Sequence, residues 1–299
     1  MATGTQPRLF GVLGDPVDHS LSPAMQNAAF AAAGLPHVYL RYHVPATALP
    51  GALREAARLG MGGLNLTVPL KEVALALCDR LTPHAARSGS VNTVWWCGGK
   101  LVGDDTDGRG FLRAVAGRVR VRGTHVVLLG AGGSARAVGT ALVEAGCGRV
   151  TIANRTPARA ARLAARLEAL GARTAAVGLD AVAGDRVLGD ATLVVNTTPL
   201  GLAGKSLRVR HAATPRGALF VDLVYGAEPT PFLVAATRAG RATLDGAAML
   251  LHQGALAFEA WTGRHAPLAA MRRALASAGL ALTEPPRART VRAPRPPRR

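Results

Sequence analysis

The stretch HVVLLGAGGSA, residues 125–135, does most to restrict what this chain can fold into. A short apolar run that reads as a strand enters Gly130-Ala131-Gly132-Gly133-Ser134-Ala135 and continues directly into RAVGTAL, which reads as a helix. A strand that turns this tightly into a helix is the opening unit of a parallel sheet. In that setting the glycine spacing is a dinucleotide fingerprint. Gly130 permits the tight turn, Gly132 lets the backbone approach a pyrophosphate, and Ala135 takes the third, close-packing position. The helix start presents amide N–H groups and a partial positive charge to phosphates. Alone, such a loop is also an ordinary glycine-rich turn, so the end of the next strand carries the decision. A site for NAD usually places Asp or Glu about twenty residues on, against the ribose 2′-hydroxyl. Here the position reads Asn154-Arg155-Thr156, with Arg159 one turn further. With no carboxylate and two guanidinium groups available, a 2′-phosphate is favoured, so NADP is expected rather than NAD. Arginine is common throughout this chain, and it is the placement at a strand end that gives these two their meaning.

The same alternation runs almost the whole length. Apolar runs at 8–14, 37–44 and 63–68 read as strands, with helices at 22–34 and 48–60 and a third opening at Pro69. Ser22 is the expected N-cap of the first helix, with Pro23 in its first turn. Residues 91–104 read as two short strands joined at Gly98-Gly99. A second set of strands, 125–130, 149–154, 192–197 and 218–223, alternates with helices at 133–145, 156–170 and 231–239. Helices resume from Gly246 to Trp261 and at 267–278. Strands alternating with helices predict an α/β chain of parallel sheets covered by helices. We expect one domain at 1–107, a second at 108–245, a helical return at 246–283 and a disordered basic tail at 284–299.

The formal net charge of +18 raises the question of nucleic acid. Six arginines fall in the last thirteen residues, RARTVRAPRPPRR, which cannot build a core. The remaining excess is scattered and no aromatic stacking motif interleaves with it, so nucleic-acid binding is not expected. No apolar run is long and uncharged enough to span a membrane, and residues 1–10 contain no signal-like segment, so the cytoplasm is the expected location. Cys78, Cys97 and Cys147 show no metal-type spacing and are read as free thiols.

Against 33 arginines the chain has three lysines, Lys71, Lys100 and Lys205. Lys71 directly follows the third strand, in NLTVPLK. Lysine exchanges its proton where arginine does not, which makes Lys71 a candidate proton donor. GDDTDGRGF supplies Asp104, Asp105 and Asp107, and a carboxylate beside an ammonium both orients it and can relay its proton. The ordinary reading of that acidic cluster is a solvated turn, with Asp107 capping the helix that follows. Ser20 and Ser22 lie in the loop after the first strand and Asn92 beside a later one, at strand ends where open α/β sheets bind ligands. Met249 and Gln253 share one helical face turned inward, as ordinary core residues also do.

These blocks together resemble the shikimate dehydrogenase family. GVLGDPVDHSLSPAMQN, NLTVPLK, SVNTV, GDDTDG, GAGGSARA, NRT, NTTPLG, DLVY and GAAMLLHQGALAFEAWTG occur in the family's order across about residues 8 to 283. The resemblance implies an N-terminal α/β/α substrate domain, a Rossmann-type NADP domain and C-terminal helices returning to the first domain. It implies an NADP-dependent oxidoreductase that reversibly reduces 3-dehydroshikimate to shikimate in aromatic amino-acid biosynthesis, without a metal, as monomer or homodimer. Lys71 and Asp107 become the catalytic pair. Ser20 and Ser22 bind the substrate carboxylate, and Thr67, Asn92, Asp107 and Gln253 its hydroxyls, with Tyr225 nearby. Gly130 to Ala135 hold the pyrophosphate, Asn154, Arg155, Thr156 and Arg159 the 2′-phosphate, and Val224, Gly246 and Met249 border the nicotinamide. Two positions depart from the family pattern: Gln26 stands in place of histidine, as a tolerated polar swap on a helix side, and Asp105 in place of asparagine. A quinate or aminoshikimate dehydrogenase, or a non-catalytic sensor on the same fold, stays open at this point, whereas the SLSP block speaks against a folate-linked relative.

Overall fold

The structure is a computed structural model and describes residues 6–201 and 207–282; Lys205 and the basic tail lie outside them. The first half contains β1 (Leu9–Gly14), α1 (Ser22–Ala32), β2 (Val38–His43), α2 (Leu49–Arg58), β3 (Gly63–Leu66), β4 (Arg80–Leu81), α3 (Pro83–Ser88), β5 (Thr93–Cys97) and β6 (Lys100–Asp104). Its six strands form one sheet in the order β2-β1-β3-β5-β6-β4. β1, β2 and β3 run parallel, while β5 is antiparallel to both neighbours and makes a hairpin with β6 through Gly98 and Gly99.

α4 (Asp107–Val115) carries the chain across to β7 (His125–Leu129), α5 (Gly133–Glu144), β8 (Arg149–Asn154), α6 (Pro157–Glu168), β9 (Arg173–Gly178), β10 (Leu193–Asn196), β11 (Leu219–Asp222), α7 (Pro231–Arg238) and β12 (Ala242–Leu244). These strands pair in the order β12-β11-β10-β7-β8-β9, parallel throughout. That is the doubly wound order of dinucleotide-binding sheets, with the topological switch between β7 and β10. α8 (Ala247–Thr262) returns to the first half and α9 (Leu268–Ser277) completes it.

Each sheet buries both faces. In β7 the period-two alternation sends Val126 and Leu128 into one core and Val127 and Leu129 into another. α6 follows the 3.6 period, burying Ala160, Leu163, Ala164 and Leu167 and leaving its arginines outward. In the first half, Phe10, Val12 and Tyr39 pack under α1, α8 and α9, while Leu13, Leu64 and Leu66 face α2. α7 starts where Thr230, followed by Pro231, accepts the Leu233 N–H; Thr82 before Pro83 does the same for α3.

Several sequence expectations need correction. The helix expected at Pro69 is absent: residues 69–72 form turns, followed by a single 3₁₀ stretch at Val73–Leu77. The cap position of α1 is Leu21 rather than Ser22, and that of α4 is Thr106 rather than Asp107. β4, β9, β12 and α3 were not anticipated.

α4 and α8 approach closely because α4 carries glycine at their contact. A Cβ at Gly110 would stand 2.7 Å from the Gln253 backbone nitrogen and 2.9 Å from its Cα. Gly110→Ala therefore forces two backbones apart, and we expect a loss of about 1–3 kcal/mol. Calorimetry should read this as a melting point lower by roughly 3–10 °C. A melting point matching the parent chain would show that the two helices have slack.

Candidate active site

The carboxyl ends of β1, β3, β6, β7, β10 and β11, together with the start of the antiparallel β5, converge on one cleft between the sheets. A cavity of about 320 Å³ occupies it. From the first half it is lined by Ser20, Ser22, Thr67, Lys71 and Asn92, and from the crossing helices by Asp107, Gly246, Met249 and Gln253. Ser134, Val224 and Tyr225 close it from the second half. Val12, Leu66, Leu223 and Leu250 give it apolar walls.

Lys71 and Asp107 meet here. The Lys71 ammonium lies 2.5 Å from Asp107 Oδ2 and donates to Ser134 Oγ at 3.2 Å. The other carboxylate oxygen, Oδ1, accepts from the Asn92 amide at 2.7 Å. Asn92 is held in turn: its Oδ1 accepts from the Thr106 N–H at 2.9 Å, and its amide reaches toward Gln253 Oε1 at 3.4 Å. Asp107 stands in the first turn of α4, where the helix dipole favours a negative charge.

The acidic cluster is not a solvated turn. Asp104, Asp105 and Asp107 are all buried. Arg109 and the Thr82 hydroxyl donate to Asp104. Asp105 Oδ1 accepts from the Asp107 backbone N–H at 3.0 Å, so it supports the position of Asp107 without entering the cavity. Burial, and then the neighbouring Asp107 carboxylate, push the Asp105 carboxyl up to about 7. Asp222, buried at the end of β11, is raised to about 6 by burial while accepting from Asn196, Thr230 and the Val224 N–H. This anchors the turn that delivers Val224 and Tyr225. The Tyr225 hydroxyl, raised by burial, faces Ser20 and the Leu21 backbone.

The glycine loop has the geometry a pyrophosphate needs. Gly130 takes φ +110°, in the region that favours glycine. A Cβ at Gly132 would meet only an Arg159 nitrogen, 3.9 Å away, so its backbone is open to an approaching group. No side chain caps the start of α5, so its first amides are available. Ala131 and Ala135 are buried beneath the loop. Gly133 presses on the first half, where a Cβ would stand 3.1 Å from both Lys71 Cβ and Ser90 Oγ. At the end of β8, Asn154 Nδ2 donates to the Thr156 carbonyl, Arg155 is exposed, and Arg159 reaches Glu72 at 3.5 Å. These four lie outside the central cavity; Arg159 lines a neighbouring pocket instead. Among the described residues no cluster of metal-ligating side chains is present, and no helix is long and apolar enough to cross a membrane.

Comparison with known proteins shows which family the chain is similar to. Residues 12–94 match the shikimate dehydrogenase substrate-binding domain, 114–199 the shikimate/quinate 5-dehydrogenase family, and 246–276 the shikimate 5′-dehydrogenase C-terminal domain. The shikimate dehydrogenase (NADP(+)) of Methanopyrus kandleri is 45% identical over 281 residues, covering 92% of this chain and 97% of that protein. The chain belongs to the shikimate dehydrogenase family. Among solved structures, the Thermus thermophilus shikimate 5-dehydrogenase in complex with NADP(H) and shikimate is 43% identical, with a TM-score of 0.79, covering 91% of this chain and 99% of that one. The quinate dehydrogenase of Corynebacterium glutamicum in complex with NAD has a TM-score of 0.81 at 32% identity, covering 91% of this chain and all of that one. The family's two-domain α/β architecture is the fold described above.

Sequence reasoning missed several residues of the cleft. Asn65, on β3, accepts from the Tyr39 hydroxyl at 2.7 Å and lines the cavity; it stood unassigned inside NLTVPLK. Thr197 and Thr198 also line it, from NTTPLG after β10. Gln26 lies on the inward side of α1. It is wholly buried and donates to the Gly254 carbonyl at 2.9 Å.

Proposed function

We propose that this chain is an NADP-dependent shikimate dehydrogenase, catalysing the reversible reduction of 3-dehydroshikimate to shikimate within aromatic amino-acid biosynthesis. The observation that carries the reading is the Lys71–Asp107 pair, set at 2.5 Å in the cavity that the glycine loop borders. When bound, NADPH supplies the hydride that the ketone carbon accepts. The chain's own residues supply the rest. The oxygen of the former carbonyl takes a proton from Nζ of Lys71, and in shikimate oxidation Lys71 receives that proton back. Asp107 fixes the ammonium with one carboxylate oxygen, while Asn92 fixes the carboxylate through the other.

In this reading Ser20 and Ser22 take the substrate carboxylate, Thr67, Asn92 and Gln253 hold its hydroxyls, and Tyr225 closes over it. Gly130 to Ala135 take the pyrophosphate, and Asn154, Arg155, Thr156 and Arg159 the 2′-phosphate. Val224, Gly246 and Met249 flank the nicotinamide. Residues 1–107 and 246–283 act as the substrate unit and 108–245 as the cofactor unit. The enzyme works in the cytoplasm, and as a homodimer if sedimentation of the full chain shows a twofold mass.

The Corynebacterium glutamicum quinate dehydrogenase is 32% identical to this chain, against 45% for the Methanopyrus kandleri shikimate dehydrogenase. Initial rates of NADPH formation from shikimate and from quinate, run side by side with NADP, test the choice. We expect shikimate to be strongly preferred; a preference for quinate, or no turnover of either, would overturn the assignment.

A further inference from the structure

Two consecutive residues after β3 reach across the cleft. Lys71 reaches Asp107 and Ser134, as described. Glu72 reaches two arginines of the opposite half: its Oε2 lies 3.0 Å from Arg136 Nη2 and its Oε1 3.5 Å from Arg159 Nη2. Nothing in the reaction requires this second reach.

The pocket that Glu72 enters has about 600 Å³ between the glycine loop and α6, lined by Ala131, Arg136, Arg159, Arg162 and Arg166. Its guanidinium groups are not equivalent. Arg166 donates to the Ala86 and Arg87 carbonyls at the end of α3, at 2.8 and 2.6 Å. Arg136 divides itself between the Gly89 carbonyl and Glu72. Arg159 has Glu72 as its carboxylate partner. Among the described residues, Glu72 is the single acidic one lining the pocket. A ligand without charge at this point gains nothing by displacing a carboxylate from arginine. A phosphate brings greater charge and three acceptor oxygens, and it wins that exchange.

We infer that Glu72 is a built-in counter-ion in the 2′-phosphate seat, displaced by the phosphate of NADP and left in place by NAD, so that it tunes the cofactor preference. The inference rests on Arg159 being a 2′-phosphate residue, as proposed above. Glu72 opposes NADP binding by the cost of releasing its two partners. Both ion pairs are partly exposed, so that cost is modest and falls as salt is added.

Titration calorimetry of the full chain with adenosine 2′,5′-bisphosphate and with 5′-AMP isolates the effect, since the two probes differ only in the 2′-phosphate. Glu72→Gln, which keeps the shape, is expected to tighten the bisphosphate about threefold to tenfold and to move 5′-AMP by less than about twofold. The gain should shrink in an Arg159→Ala background, as a pairwise coupling requires. Equal tightening of both probes would mean a general field effect, and equal weakening a purely structural clasp; either overturns the inference, as does an unchanged ratio. If Arg159→Ala alone leaves the ratio of the two affinities where it was, the 2′-phosphate reading itself falls and takes this one with it.

Discussion

Lys71→Ala should lower kcat for shikimate oxidation about 10²- to 10⁴-fold, the usual contribution of a positioned proton-transfer group. NADP affinity should change little, because the hydrogen bond from Lys71 to the glycine loop goes to the Ser134 side chain and not to the backbone amides. Alanine also strips a buried carboxylate of its cation, so lost activity alone would mix chemistry with local collapse. Lys71→Arg separates the two. Arginine keeps a positive charge opposite Asp107 but does not release its proton in the working range. A loss with arginine close to that with alanine assigns proton transfer to Lys71. Recovery of most of the parent rate would reduce its role to charge alone, and near-parent turnover in both variants would remove Lys71 from the mechanism.

Asp105→Asn should make the protein more stable in alkaline buffer and leave it nearly unchanged in acid. The folded chain holds the Asp105 proton up to about pH 7, whereas an unfolded carboxylate releases it near 3.8. Between those values the native state binds the extra proton, so this residue's contribution to stability is full at low pH and is lost as pH rises through 7. The cost of the ionised form above that range is on the order of 2–4 kcal/mol. Asparagine has no charge to bury, and its side-chain oxygen can still accept the Asp107 N–H. Thermal melts of the two proteins should coincide only below about pH 3.8, diverge progressively up to about pH 7, and differ by roughly 5–10 °C near pH 8.5, with the asparagine variant higher. The raised carboxyls of Asp222 and Asp245 and the lowered His125 and His211 are common to both proteins and cancel in the difference. Parallel curves over the whole range would show that Asp105 finds compensation for its charge.

Much of the fold is legible from local pattern. The runs that became β1, β7, β8, β10 and β11 are apolar on both faces because helices cover both faces, and that signal survives in one dimension. β9 and β12 were missed because edge strands bury less: Arg173–Gly178 is mostly exposed along its length. The segment after Pro69 was misjudged because its apolar spacing fits a helix, while the chain spends it on turns and a 3₁₀ stretch. A helix cap is the ordinary reading of Asp107, but Thr106 holds the cap position, and the Asp107 side chain goes to Lys71 and Asn92. The site divides along the same line. Residues at strand ends could be named from sequence alone. Lys71–Ser134 and Glu72–Arg159 could not, because they join elements 63 and 87 positions apart whose meeting depends on how two sheets are set against each other.

The path of the chain through α4 and α8 has a consequence for exchange. The sheet from β7 to β12 is entered through one helix and left through its immediate neighbour, with Gly110 of the first packed on Gln253 of the second. It is therefore an insert bounded by two neighbouring helices, and α8 has to stay whole when it is exchanged, because Ala247, Leu250 and Leu251 pack in the core of β1, α1 and α9. Asp107 and Gln253 stay behind on the two helices, together with Lys71 and Asn92. A foreign dinucleotide module grafted between those helices would find the proton donor and most of the hydroxyl-binding groups already in place. Ser134, Val224 and Tyr225 would have to be supplied anew.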